Sequence, residues 1–207
     1  MTVLHKTQDL WFDLSPVEDN QSCSKAHYIF YDLASSVHTA VIIIFIIFVF
    51  LIQPAFVSCE SMLPTLQNKD VLIILNNRKA YNRGDIVVIA PYEKSKSSLV
   101  KRIVAVGGDV LDIDFSSGTV TLNGQVLDEP YIKEPTLRSF DVTFPLTVPE
   151  GCVFVMGDNR NNSLDSRHSD VGFVNENYIL GKAEFRLYPF GKHNIYENKE
   201  SRVNNGQ

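Results

Sequence analysis

A chain of 207 residues holds one ordinary domain and an anchor, and leaves no room for a second globular domain. A net charge of −5 without any basic block excludes a general nucleic-acid binder, because phosphate recognition needs a concentrated basic surface. Three cysteines, Cys23, Cys59 and Cys152, make neither a disulfide framework nor a zinc-ligand spacing, and a Cys59–Cys152 bridge is allowed by count alone.

The amino-terminal arm, Met1–Asp32, is mostly polar and predicts little fixed structure, with Trp11-Phe12 as an isolated aromatic pair near its start. From Leu33 to Val57 the chain turns strongly apolar, and Ala40–Ile52 contains no polar residue. A membrane-crossing helix needs roughly 20 apolar residues, so the core run has to borrow from Leu33–Thr39. A soluble core helix would leave apolar side chains all around its circumference, and a cleavable signal sequence fits poorly with the long polar lead. One retained transmembrane helix over 33–57 is therefore expected, with Pro54 marking its exit. Basic residues flank the run on both sides (Lys6 and Lys25 before it, Lys69, Arg78, Lys79 and Arg83 after it), so charge does not orient it.

Beyond it, 58–196 reads as a β-rich domain. Asp70–Leu75, Ile86–Ala90, Leu99–Val106, Val110–Phe115, Thr119–Leu122, Val126–Leu127, Val153–Met156 and Ala183–Tyr188 are rich in Val and Ile and bounded by turn residues, with Asn123-Gly124 between two of them. These short alternating segments predict a mostly β fold, an antiparallel sheet domain behind one helix. Glu134–Val148, with its prolines, predicts irregular or edge structure. The tail 197–207 is polar and predicts fraying.

One hydroxyl stands out by position: Ser61 lies just past the apolar run, in Glu60-Ser61-Met62-Leu63-Pro64-Thr65-Leu66. Standing alone, such a serine caps a turn. To act as a nucleophile it needs a base, usually histidine. His5, His27 and His38 precede or lie within the apolar run, His193 is in the polar tail, and His168-Ser169-Asp170 sits in one loop. The other known base is a lysine made neutral by burial. In Leu99–Val106 both faces are apolar, so alternation leaves open whether Lys101 or Arg102 points inward. A guanidinium stays charged whereas a buried amine can lose its proton, so a base in this strand is Lys101.

Three blocks in order, Ser61–Leu66, Arg83–Val88 with Lys101–Asp109, and Gly157–Arg167, resemble bacterial type I signal peptidases, the serine–lysine proteases that remove signal peptides from exported proteins. The resemblance runs roughly from Gln53 to Pro189. It implies a single-pass protein of the bacterial cytoplasmic membrane with its amino terminus inside and its catalytic domain on the export side. Ser61 is then the nucleophile, Lys101 the general base, and the Ser61 N–H an oxyanion donor. It further implies that Ser163 hydrogen-bonds the Lys101 amine, and that Asp158, Asp165 and Arg167 support the site, with Asp165 and Arg167 paired across a tight turn. Relatives of the Gram-negative type carry a serine two residues before the nucleophile whose hydroxyl helps bind the oxyanion; here Cys59 holds that position, and a thiol is a weak donor. Implied partners are signal-peptide-bearing precursors, the lipid bilayer and, as a candidate, the export translocon; no metal or organic cofactor is indicated. Two other readings stay open: a specialised serine–lysine maturation peptidase of the conjugation or pilin type, and a non-catalytic membrane-anchored β-domain that binds export partners.

Overall fold

The computed structural model describes residues 21–75, 81–91, 97–190 and 195–196. Trp11-Phe12, His193 and the tail 197–207 lie outside the described residues, as does most of the predicted arm.

Helix α1 spans Gln21–Leu51. Within it His27–Ile46 is long and apolar enough to cross a membrane, and its side chains are exposed. The helix starts earlier than the predicted span and stops sooner. Ile52–Phe56, expected inside the span, is instead the first strand, β1. β1 follows directly on the apolar run and, at five residues interrupted by Gln53-Pro54, is too short and irregular to show an alternation that separates it from the helix. Pro54 is tolerated there because β1 is an edge strand.

The remaining strands are β2 (Val71–Leu75), β3 (Ile86–Ile89), β4 (Leu99–Val106), β5 (Val110–Asp114), β6 (Thr119–Leu122), β7 (Gln125–Val126), β8 (Leu146–Thr147), β9 (Cys152–Met156), β10 (Val174–Asn175) and β11 (Ile179–Tyr188). They form a seven-stranded sheet in the order β1-β2-β11-β3-β4-β9-β10 and a four-stranded sheet in the order β7-β6-β5-β8. Every pairing is antiparallel. Register shifts in β11 and β4 mark bulges, which bend and twist the strands that carry them. Asn123 and Gly124, both at positive φ, make the tight hairpin turn between β6 and β7.

Two apolar clusters fix the site. In one, Met62 and Leu66 from the Ser61 turn pack with Leu72, Ile74, Ile86 and Val100 of the large sheet. In the other, Val104, Ala105, Phe154 and Met156 pack against Leu111, Ile113, Val120 and Leu122, joining the two sheets. β4 lies between β3 and β9, and Arg102 stands opposite Met156. The chain therefore leaves β9 at Gly157-Asp158 beside the Lys101-Arg102 step of β4.

Candidate active site

Ser61 opens a tight turn closed by Leu66 N–H donating to the Met62 carbonyl at 2.8 Å. Met62 and Leu66 are fully buried and pin that turn to the sheet. At its far end Arg186, ion-paired with Asp70, donates to the Thr65 carbonyl. Turn closure is thus left to backbone and apolar groups, which frees the Ser61 hydroxyl from capping.

That hydroxyl is hydrogen-bonded to the Lys101 amine, with Nζ 2.6 Å from Oγ. Ser61 is 7% exposed and Lys101 2%. Burial pushes the Lys101 pKa down from the ordinary lysine range; the charges of Asp165, Cys59 and Asp158 oppose that fall and Arg167 reinforces it. An amine so placed can hold its neutral form and accept a proton from the hydroxyl it touches. Cys59 Sγ lies 3.1 Å from the same Oγ, and Cys59 and Cys152 are both free thiols.

Arg102, the next residue of β4, is equally buried and has a different fate. Its Nε and Nη2 donate to the two Asp158 carboxylate oxygens at 2.8 and 2.7 Å, and Nη1 donates to the Gly84 carbonyl. Tyr131 lies over the guanidinium, 4.0 Å from its ring centroid. Burial works against the Arg102 charge, and the bond to Asp158, together with the charge of Asp158 and the neighbouring Tyr131 and Tyr196, more than offsets it. Asp158 also accepts from Thr65 Oγ1. One carboxylate therefore ties the strand carrying Lys101 to the turn carrying Ser61.

The loop after β9 has a second buried pair. Arg167 grips both oxygens of Asp165 at 2.8 Å and donates to the Arg160 and Arg138 carbonyls. Asp165 in turn accepts from the Gly157 N–H at 3.0 Å. Gly157 is obligatory: an added Cβ would stand 2.4 Å from the Ser61 carbonyl and 2.3 Å from Ser163 Oγ. The expected bond from Ser163 to the Lys101 amine is not formed. Ser163 Oγ is buried with no hydrogen-bond partner of good geometry among the described residues: its side chain packs against Gly157, and its hydroxyl lies near enough to Asp165 to help hold that carboxyl's pKa down. His168-Ser169-Asp170 serves its own loop, with Ser169 bonded to Asp141 and His168 Nδ1 accepting from the Asp170 N–H.

Beside Lys101 and Cys59 opens a groove of about 430 Å³, bounded by Gln53–Phe56 on one side and Ser97–Lys101 on the other, with Ile74, Val88 and Leu180 also lining it. That volume lies within the range common for ligand-binding clefts.

A buried serine–lysine contact beside an open groove in an antiparallel β-domain suits a serine peptidase. Comparison with known proteins gives the family. Residues 30–188 match the model for signal peptidase, peptidase S26. Signal peptidase I P of Bacillus subtilis subsp. natto is 34% identical over 184 residues, covering 84% of this chain and 96% of that one. Signal peptidase I of Bacillus caldolyticus is 37% identical over 145 residues, covering 63% of this chain and 76% of that one. A crystal structure of a signal peptidase I from Enterococcus faecalis V583 is 30% identical, covers 50% of this chain and 97% of that one, and has a TM-score of 0.43. On the family match and the Bacillus sequences, the chain belongs to the signal peptidase family, peptidase S26, and is a serine endopeptidase of the signal peptidase I type.

Three further contributors carry little signal in the sequence: Thr65 is one residue of the Ser61 turn, Arg102 reads only as the neighbour of Lys101, and Asn159 is one polar residue in a polar loop. The run of acidic, amide and basic residues after Met156 is the one hint of a polar network there.

Proposed function

We propose that this protein cleaves amino-terminal signal peptides from exported precursors at the outer face of the bacterial cytoplasmic membrane, with Ser61 as nucleophile and Lys101 as general base. The observation that carries the reading is the buried 2.6 Å contact between Lys101 Nζ and Ser61 Oγ. Neutral Lys101 takes the hydroxyl proton as Oγ attacks the scissile carbonyl, and the carbonyl π electrons move to oxygen, forming an oxyanion to which the Ser61 N–H donates a hydrogen bond. Collapse of that intermediate breaks the C–N bond, and the ammonium of Lys101 returns its proton to the departing amine. A water deprotonated by Lys101 then releases the acyl group. The His27–Ile46 stretch anchors the enzyme on the surface where precursors emerge, which raises the effective concentration of one for the other. The family resemblance implies small side chains one and three positions before the cut.

Ser61→Ala and Lys101→Met are each expected to abolish processing of a signal-bearing precursor while the domain still melts cooperatively. A variant that processes precursor at near wild-type rate removes the role assigned to that residue.

A further inference from the structure

The loop after β9 hydrogen-bonds the backbone of Glu60 and Ser61 at two points, both from Asn159. Its main-chain N–H donates to the Ser61 carbonyl at 3.0 Å, and its side-chain Nδ2 donates to the Glu60 carbonyl at 3.1 Å. Asn159 is 2% exposed, and its Oδ1 has no hydrogen-bond partner among the described residues. The opposite amide orientation would set that oxygen against the Glu60 oxygen, two acceptors facing each other. A buried carbonyl without a partner is costly, so this asparagine weakens the packing it sits in while supplying one donor. What that donor holds is informative. Glu60 C=O and Ser61 N–H belong to one planar trans peptide and point to opposite sides of it. Fixing the carbonyl on the loop side therefore fixes the N–H on the other. That N–H donates no hydrogen bond among the described residues.

We infer that Asn159 is a positioning residue for oxyanion stabilisation: its side-chain amide grips the Glu60 carbonyl and so aims the Ser61 N–H at the oxygen of the tetrahedral intermediate. The inference rests on Ser61 being the nucleophile. The Glu60 carbonyl also accepts from the Leu63 N–H at 3.2 Å, so the peptide is loosened and not released when Asn159 Nδ2 is lost. The expected loss is accordingly smaller than the ~10²–10³ that follows removal of an oxyanion donor outright.

The test uses the full chain with Asn159→Ala and Asn159→Leu, kcat and KM on a signal-bearing precursor, and the affinity of a peptide aldehyde. Ser61 Oγ adds to the aldehyde carbon, its proton passes to Lys101, and the carbonyl π electrons move to an oxygen lying in the same place as that of the intermediate. Both variants are expected to lower kcat about tenfold with KM within about twofold, and to weaken the aldehyde in step with kcat. The acid limb of the pH profile stays in place in Asn159→Ala because Lys101 is untouched. Asn159→Leu fills the same space and removes the unpaired oxygen, so it melts at or above the wild-type temperature while remaining slow. Either variant turning over within twofold of wild type, or losing activity only in proportion to a lowered melting temperature with the aldehyde unaffected, overturns the inference. Ser61→Ala, run alongside, separates the two levels. If it still cleaves, the nucleophile assignment and this inference fall together; if it is silent and the Asn159 variants are fully active, only this inference falls.

Discussion

Lys101 and Arg102 are consecutive cations on β4 and are both buried, yet they do opposite things. Arg102 meets a carboxylate in a two-point grip, a main-chain carbonyl and an aromatic face, so its charge is matched on every side. Lys101 meets a hydroxyl, and the carboxylates that would stabilise its charge are held by the neighbouring arginines, Asp158 by Arg102 and Asp165 by Arg167. Burial alone therefore does not make a base. What makes one is a buried amine whose potential counter-ions are already spent on guanidinium groups. The two arginines are part of the Lys101 environment without touching its nitrogen.

Breaking the matched side has the largest expected effect on the fold. Arg102→Ala leaves Asp158, which is fully buried, as an unpaired carboxylate beside Thr65. Removing one partner of a buried pair typically costs about 3–5 kcal/mol. Denaturant unfolding of Arg102→Ala should show a loss on that scale, with processing impaired because the Ser61 turn and β4 lose their common tie. An Arg102→Ala domain as stable as wild type would show that Asp158 finds its compensation elsewhere. Arg102→Ala/Asp158→Ala should recover part of the loss, since no charge is then left alone.

Those two side chains also mark where sequence reading reaches its limit. The strands of the domain are legible because short Val- and Ile-rich segments alternate between Gly, Asn and Asp turns, and β2 to β7, β9 and the end of β11 fall where those segments lie. β8 and β10, two residues each, carry no pattern long enough to read, and β1 follows directly on the apolar run with Gln53-Pro54 breaking any alternation. In the site, chemistry selects Ser61 and Lys101 from the sequence, and the fold brings them within 2.6 Å. Asp165 and Arg167, two residues apart, pair as the resemblance implies. Ser163 does not bond Lys101, because where its hydroxyl points is decided by loop packing against Gly157, which no local pattern encodes. The Arg102–Asp158 and Asn159–Glu60 contacts join residues 56 and 99 positions apart, and both are invisible for the same reason.

Sharpening the other side of the comparison is a matter of pH. The folded Lys101 pKa lies below its ordinary value of 10.5. Between that lowered value and 10.5 the unfolded chain binds one more proton than the folded chain, so the stability contribution of Lys101 rises with pH across the window. Methionine has no such dependence. Lys101→Met should therefore melt above wild type at neutral pH, and the advantage should shrink as pH approaches 10.5. A gap that stays constant or widens with pH would mean that the amine is not destabilised by burial, and the contrast with Arg102 would lose its basis.

The smallest expected effect concerns Cys59, the third group on the Ser61 hydroxyl. Its Sγ is 3.1 Å from Oγ, opposite in kind to the Lys101 contact: a thiol is a weak donor and a weak acceptor, and Cys59 is exposed whereas Lys101 is buried. The single hydroxyl proton of Ser61 is thus drawn to the amine, and the sulfur competes for it poorly. The thiol also sits on the nucleophile itself in the resting state, so any help it gives an oxyanion is indirect and the Ser61 N–H carries the larger part. Cys59→Ala is expected to change kcat by no more than a few-fold, and Cys59→Ser, which restores a hydroxyl at this position, to keep or raise it. Loss of a true oxyanion donor costs ~10²–10³, so turnover distinguishes the cases without ambiguity of scale. A drop of that size in Cys59→Ala, with Ser58→Ala silent and the melting temperature unchanged, would place the thiol among the groups that stabilise the intermediate and move Cys59 to the Lys101 side of the comparison.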